Sequence, residues 1–222
     1  MYSHPIYSKE GGWPQAIERI IAANSKREGY PRSRLPKFTQ EEIELCRGTY
    51  DYYGLNHYTS RKVRLPKEGE VPGWWINLGS TELNIVLELD PSWDDTQTKL
   101  ASFPPGIRRQ MAWLKKEYGD IDILITENGY SADVDGLDDD RRVKYLKEYL
   151  EQVLLSIYED GVSVIGHTAW SLMDNFEWAD GYRSRFGLYH VDYESPEKTR
   201  TVRKSGKYYA SVAYNRSLDV SS

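Results

Sequence analysis

An α/β fold, with parallel strands packed beneath outer helices, is predicted by three features of this 222-residue chain. Apolar or aromatic runs at residues 50–58, 121–125 and 162–170 have the length and composition of strands rather than helices. Amphipathic stripes at helical spacing stand between the later runs. Each strand carries a polar or aromatic group toward its C-terminal end: Asn56 and Tyr58 on the first, Glu127 on the second, Trp170 on the third. Strand, long crossover, strand, helix, strand is the order of a parallel sheet flanked by helices. A (β/α)8 TIM barrel has eight such strands in about 250 residues, so three strands predict a partial barrel whose ends converge on one mouth.

The elements follow in order. Pro14 suits a first helical turn, and Ile17, Ile20 and Ile21 form one face of a helix ending between Asn24 and Gly29. Thr39 followed by Glu42 has the spacing of a capping box, which starts a short helix over residues 40–46 that Gly48 ends. After the first strand, residues 59–105 hold several Pro and Gly, three Trp and no sustained period. They read as a long loop excursion of the kind that makes lids and binding walls. Ile107, Met111, Leu114 and Tyr118 mark the next helix, closed by Gly119, and the strand leading to Glu127 follows. Val143, Leu146, Leu150, Val153, Leu154 and Ile157 make the strongest helical stripe, and a last helix covers residues 204–214. With no internal repeat and no linker composition, the chain reads as a single domain over residues 1–222.

Composition narrows the function. With 39% hydrophobic and 28% charged residues, and no stretch near the ~18 apolar residues of a membrane span, a soluble protein without a membrane role is expected. Lys and Arg number 29 against 34 Asp and Glu, a formal charge of −5 that offers no basic field for nucleic acid. The single cysteine, Cys46, has no internal disulfide partner and reads as a buried free thiol. Residues 1–6 show no signal-peptide pattern, and localisation stays open. Seven Trp and 18 Tyr suit a carbohydrate site, but large aromatic cores give the same count.

Asp133, Asp135 and the run Asp138 to Asp140 raise calcium. Gly136 comes too early for an EF-hand loop and Lys144 stands in the place of the closing Glu, so a solvated loop near a helix N-terminus is expected, with no metal. Residues 195–200 read as a charged surface turn. His167, inside an apolar strand, reads as a core histidine. Taken singly, Glu127 reads more readily as a solvated carboxylate, and Trp170 and Trp178 as core aromatics.

Four motifs taken together point further. Tyr53-Gly54-Leu55-Asn56-His57-Tyr58-Thr59-Ser60, Ile125-Thr126-Glu127-Asn128-Gly129-Tyr130, the run from Trp170 through Asp174-Asn175-Phe176-Glu177-Trp178 to Tyr182, and Arg185-Phe186-Gly187-Leu188-Tyr189 occur in that order. In this the chain resembles glycoside hydrolase family 1, the β-glucosidase family, over residues 3–212, corresponding to the sixth to eighth strands of its barrel. The resemblance implies a retaining β-glycosidase acting on a small-molecule β-glycoside or oligosaccharide, without cofactor. Glu127 matches the family's nucleophile and Tyr58 the tyrosine that hydrogen-bonds it. Trp170, Glu177 and Trp178 match the innermost sugar subsite, Phe186 an aromatic at its rim, and Asn56 a supporting position. His57 stands where the family more usually has Tyr, and reads as structural. Retaining hydrolysis also needs a general acid. The family's acid/base Glu lies in an Asn-Glu-Pro motif, and these 222 residues contain none. The expectation is a partial family member, poorly active and poorly soluble in isolation. The alternative is a non-catalytic relative that binds sugar or a protein partner.

Overall fold

A computed structural model of the chain describes residues 1–73, 79–94, 100–131 and 136–219. Trp74, Trp75, Asp133 and Asp135 lie outside the described residues. In chain order the helices are α1 (His4–Tyr7), α2 (Gln15–Arg27), α3 (Gln40–Cys46), α4 (Pro105–Tyr118), α5 (Asp140–Tyr158) and α6 (Lys204–Asn215). The strands are β1 (Tyr53–Asn56), β2 (Lys62–Arg64), β3 (Gly79–Ser80), β4 (Ile85–Glu88), β5 (Ile123–Asn128), β6 (Val164–Ala169), β7 (Tyr189–Val191) and β8 (Arg200–Val202). None of the described helices is long and apolar enough to cross a membrane.

The chain divides into two compact units. The first comprises Met1–Asp51, Arg61–Asp90 and Glu117–Gly119. It holds α1 to α3 and a three-stranded antiparallel sheet in the order β2-β4-β3. That sheet lies within the expected loop excursion. Its strands are two to four residues long, too short for alternation to stand out in the sequence. The α3 capping box forms as its spacing predicts: Glu42 N–H donates to Thr39 Oγ1 at 3.2 Å, and Thr39 N–H donates to Glu42 Oε2 at 2.8 Å. No residue of α3 is fully buried, however, so Cys46 is half-buried rather than enclosed.

The second unit comprises Tyr52–Ser60, Pro91–Lys116 and Asp120–Ser222, and contains the parallel sheet. Its order is β1-β5-β6, with β5 central. Ile123 and Ile125 are fully buried, whereas on the flanking strand β6 Ile165 is 55% exposed. β1 pairs with β5 from Tyr53↔Ile123 to Asn56↔Glu127, and β5 with β6 from Ile123↔Val164 to Asn128↔Ala169. Register shifts fall between Leu55 and Asn56, between Ile123 and Leu124, and between Ile125 and Asn128. Such irregularities re-aim side chains, and the first and last of them sit at the strand ends that carry Asn56 and Glu127.

The α5 helix contacts its surroundings differently from the expected stripe. Leu146, Leu150 and Val153 are buried as expected, but Leu154 is exposed, while Arg142, Tyr145, Tyr149 and Ser156 are buried. Leu146, Leu188 and Tyr208 form a core cluster between α5, α6 and the segment before β7. Asp139 corrects the solvated-loop reading: it is 2% exposed, and its carboxylate accepts from Arg142 Nη1 at 2.6 Å and from Ser205 N–H at 2.8 Å. Residues 195–200 close a β7–β8 hairpin, a pairing the sequence reading did not include.

Candidate functional site

Glu127 lies at the end of β5, the best-buried strand of the parallel sheet. Its Oε2 accepts the hydroxyl of Tyr58, two residues past β1, at 2.5 Å. At this length the bond is at the short end of the O–H···O range. The phenol is held far up from its ordinary pKa, by burial first and then by the bond to Glu127 and the charges of Glu127 and Glu177. Tyr58 therefore stays a donor, which fixes one oxygen of the Glu127 carboxylate.

A cavity of about 370 Å³ opens over this pair, lined by Tyr58, Glu127, Trp170, Glu177, Trp178 and Phe186, with Leu100, Ala179 and Asp180 completing it. Six of the seven sequence-predicted residues thus meet at one place. The seventh, Asn56, is absent from the lining: its Oδ1 accepts from Thr126 Oγ1 at 2.6 Å, tying β1 to β5 beside the site. Phe186 is buried at 4% exposure rather than standing at a rim, with its ring edge-on to Tyr58 at 6.0 Å. Leu100 was not predicted, because it is a lone apolar residue at the end of an aperiodic segment.

Trp170 Nε1–H donates to Glu177 Oε1 at 3.0 Å, so the indole aims the carboxylate. Burial raises the pKa of Glu177, the hydrogen bonds from Trp170 and Asn175 lower it, and the charge of Glu127 raises it. Trp178 is 87% exposed and has φ = 47°. A bulky residue in left-handed backbone costs roughly 1–3 kcal/mol, and this one recovers almost nothing by burial. A short 3-10 turn over Trp178–Asp180 holds it: Glu177 N–H donates to Gly181 O at 2.7 Å and Gly181 N–H to Trp178 O at 3.1 Å.

Two glycines permit the assembly. A Cβ on Gly129 would lie 1.9 Å from Trp170 O, and one on Gly187 would lie 2.1 Å from Asp174 N. Asp174, wholly buried, anchors the loop that carries Glu177 and Trp178. It accepts from Arg203 Nη1 and Nη2 at 2.8 and 2.9 Å, and from Gly187 and Val191 N–H at 3.0 and 3.2 Å.

The sequence reading missed a polar layer behind Glu127. Asn128 Nδ2 donates to His57 O at 2.8 Å and to Tyr145 Oη at 2.9 Å, and Tyr145 Oη donates to Tyr58 O at 2.9 Å. Its trace in the sequence is the pair Tyr145 and Tyr149, four apart within an apolar stripe. His57 is buried against Tyr149, and burial lowers its pKa to about 4. His167 is pushed to the same range by burial and bridges Tyr209 Oη at 2.9 Å and Asn128 Oδ1 at 3.2 Å.

A larger recess of about 800 Å³ belongs to the first unit, around Trp13, Phe38 and Ile43. Size alone does not make it the better candidate: of its carboxylates Glu10 and Glu117 are exposed and Glu18 is half-buried, and among the described hydrogen bonds none ties them to a tyrosine as Glu127 is tied to Tyr58.

Parallel strands delivering a carboxylate, its tyrosine and an aromatic cup to one mouth are the architecture of barrel enzymes that act on small polar substrates. Comparison with known proteins is specific: the chain belongs to glycosyl hydrolase family 1, whose family model matches residues 1–218. Myrosinase 1 of Brevicoryne brassicae is 43% identical over 95% of this chain and 44% of its own length. The solved aphid myrosinase superposes with a TM-score of 0.87 at 42% identity, covering 96% of this chain and 45% of that one. A family 1 β-glucosidase from the fungus Humicola insolens, solved in complex with glucose, gives 0.77 at 33% identity over 96% of this chain and 44% of that one. The fold is therefore part of a family 1 TIM barrel, and the chain spans less than half the length of these relatives.

Proposed function

We propose that this chain carries the nucleophile and sugar-binding part of a retaining β-glycosidase site. Glu127 attacks the anomeric carbon of a β-glycoside, a carboxylate–carbon bond forms as the glycosidic C–O bond breaks, and the leaving oxygen departs with its electron pair. Tyr58 holds the attacking carboxylate through its phenol. Glu177 accepts from sugar hydroxyls while Trp170 and Trp178 supply apolar faces and Phe186 the floor. Asn56 supports the β1 end from outside the cavity. The observation that carries this reading is the 2.5 Å Tyr58–Glu127 bond inside an aromatic-walled cavity. The strained, exposed Trp178 supports it, since such outliers gather at functional sites.

The test is covalent trapping. A 2-fluoro glycosyl fluoride, whose leaving group needs no proton, is expected to add one glycosyl mass to the chain on a peptide containing Glu127. Glu127→Gln is expected to abolish the adduct. Labelling of a different residue would overturn the nucleophile assignment. Reversible sugar binding without any adduct would favour the non-catalytic alternative.

A further inference from the structure

We propose that Tyr145 is a positioning residue for the Tyr58–Glu127 pair, holding the Tyr58 backbone from the α5 side so that the phenol meets the carboxylate. The proposal rests on the reading of Glu127 and Tyr58 as the reacting pair. Tyr145 is 2% exposed, and its hydroxyl has two well-placed partners: it donates to Tyr58 O and accepts from Asn128 Nδ2, both at 2.9 Å. The same Asn128 amide donates to His57 O at 2.8 Å. His57 precedes Tyr58 and Asn128 follows Glu127. One hydroxyl and one amide therefore join the backbones on both sides of the reacting bond to a single turn of α5.

Little else secures the Tyr58 carbonyl. Tyr149 Oη also points at it but from 3.4 Å, beyond the range of a good O–H···O bond. Packing does not account for the Tyr145 hydroxyl, because its ring already stacks on Tyr149 at 4.0 Å and a phenyl ring would stack equally. What phenylalanine could not do is satisfy Tyr58 O and the second donor of Asn128 together, and buried polar groups left unpaired shift to find partners. At 2.5 Å the Tyr58–Glu127 bond has little slack to absorb such a shift.

The experiment follows Tyr58 directly, in the full 222-residue chain carrying ¹³Cζ-labelled tyrosine. Tyr58→Phe assigns the Tyr58 resonance, and Glu127→Gln shows where it moves when the carboxylate is lost. The expected result is that Tyr145→Phe moves the resonance toward the Glu127→Gln position. Tyr208→Phe is expected to leave it in place, since the buried Tyr208 hydroxyl has no hydrogen-bond partner among the described residues. Near-ultraviolet circular dichroism checks the fold of each variant. Should Tyr145→Phe not fold, Asn128→Ser, which removes both amide donors, is expected to move the resonance the same way. An unmoved resonance in Tyr145→Phe, or an equal shift in Tyr208→Phe, overturns the positioning role while leaving the site reading intact. An unmoved resonance in Glu127→Gln overturns the site reading and the positioning role with it.

Discussion

His57 sits one residue from the proposed reacting pair yet does no proton chemistry there. It is 5% exposed, its Nδ1 has no hydrogen-bond partner among the described residues, and burial lowers its pKa from the ordinary 6.5 to about 4. An unfolded chain takes up this proton as pH falls below 6.5, whereas the folded chain resists until about pH 4. The neutral ring therefore favours folding fully above that upper value, and the advantage drains away as pH falls toward the lower one. Between about pH 7 and about pH 5 the loss from His57 alone is about 2 kcal/mol by proton linkage. His57→Phe keeps a ring against Tyr149 and removes the titration. Urea unfolding at the two pH values is expected to show a shallower acid loss in the variant. An equal loss in both proteins would mean that His57 is protonated in the fold.

At the scale of elements, much was legible because period and capping are local. The Thr39–Glu42 spacing, the Ile107–Met111–Leu114 face of α4 and the strand ending at Glu127 all formed where the sequence placed them. Tyr58, Glu127 and Trp170 converged because parallel strands send their ends to one side, and Glu177, Trp178 and Phe186 join them from the segment that follows β6. What was not legible depends on long-range pairing. β2, β3 and β4 are too short to show alternation, and the β7–β8 hairpin shows only as the loop between its strands. The buried face of α5 was misjudged at Leu154 because polar Arg142, Tyr145 and Tyr149 take inward positions that hydrophobicity cannot reveal.

Asp174 is the clearest case of an element held by such hidden polarity, since four donors from Arg203, Gly187 and Val191 converge on one buried carboxylate. Asp174→Ala would leave the Arg203 guanidinium buried beside Arg142, both of which donate to Gly187 O at 2.7 Å. Breaking one partner of a buried ion pair costs about 3–5 kcal/mol. That loss is expected in chemical denaturation of Asp174→Ala, and a loss within the range of an ordinary surface substitution would show that the cluster is not structural.

For the whole molecule the decisive question is what the leaving group needs. Retaining hydrolysis requires a second carboxyl about 5 to 5.5 Å from the nucleophile to protonate the departing oxygen. Among the described residues the cavity carboxyls are Glu127, Glu177 and Asp180. Glu177 accepts the Trp170 indole N–H at 3.0 Å and Asp180 the Ser184 hydroxyl at 2.6 Å, and neither stands in the Asn-Glu-Pro setting expected of that acid. The 222-residue chain should therefore separate two steps that an intact site couples. A dinitrophenyl glycoside, which leaves without protonation, is expected to release a burst of about one phenolate per chain as Glu127 is glycosylated, with slow turnover after it. Azide, an anionic nucleophile that needs no general base, should speed that second phase and yield the glycosyl azide. A disaccharide, whose alkoxide leaves poorly, should remain uncut. Stopped-flow absorbance and product chromatography read all three outcomes. Disaccharide cleavage that disappears in Glu127→Gln would show that these residues hold a working acid after all, with Glu177 the first to substitute.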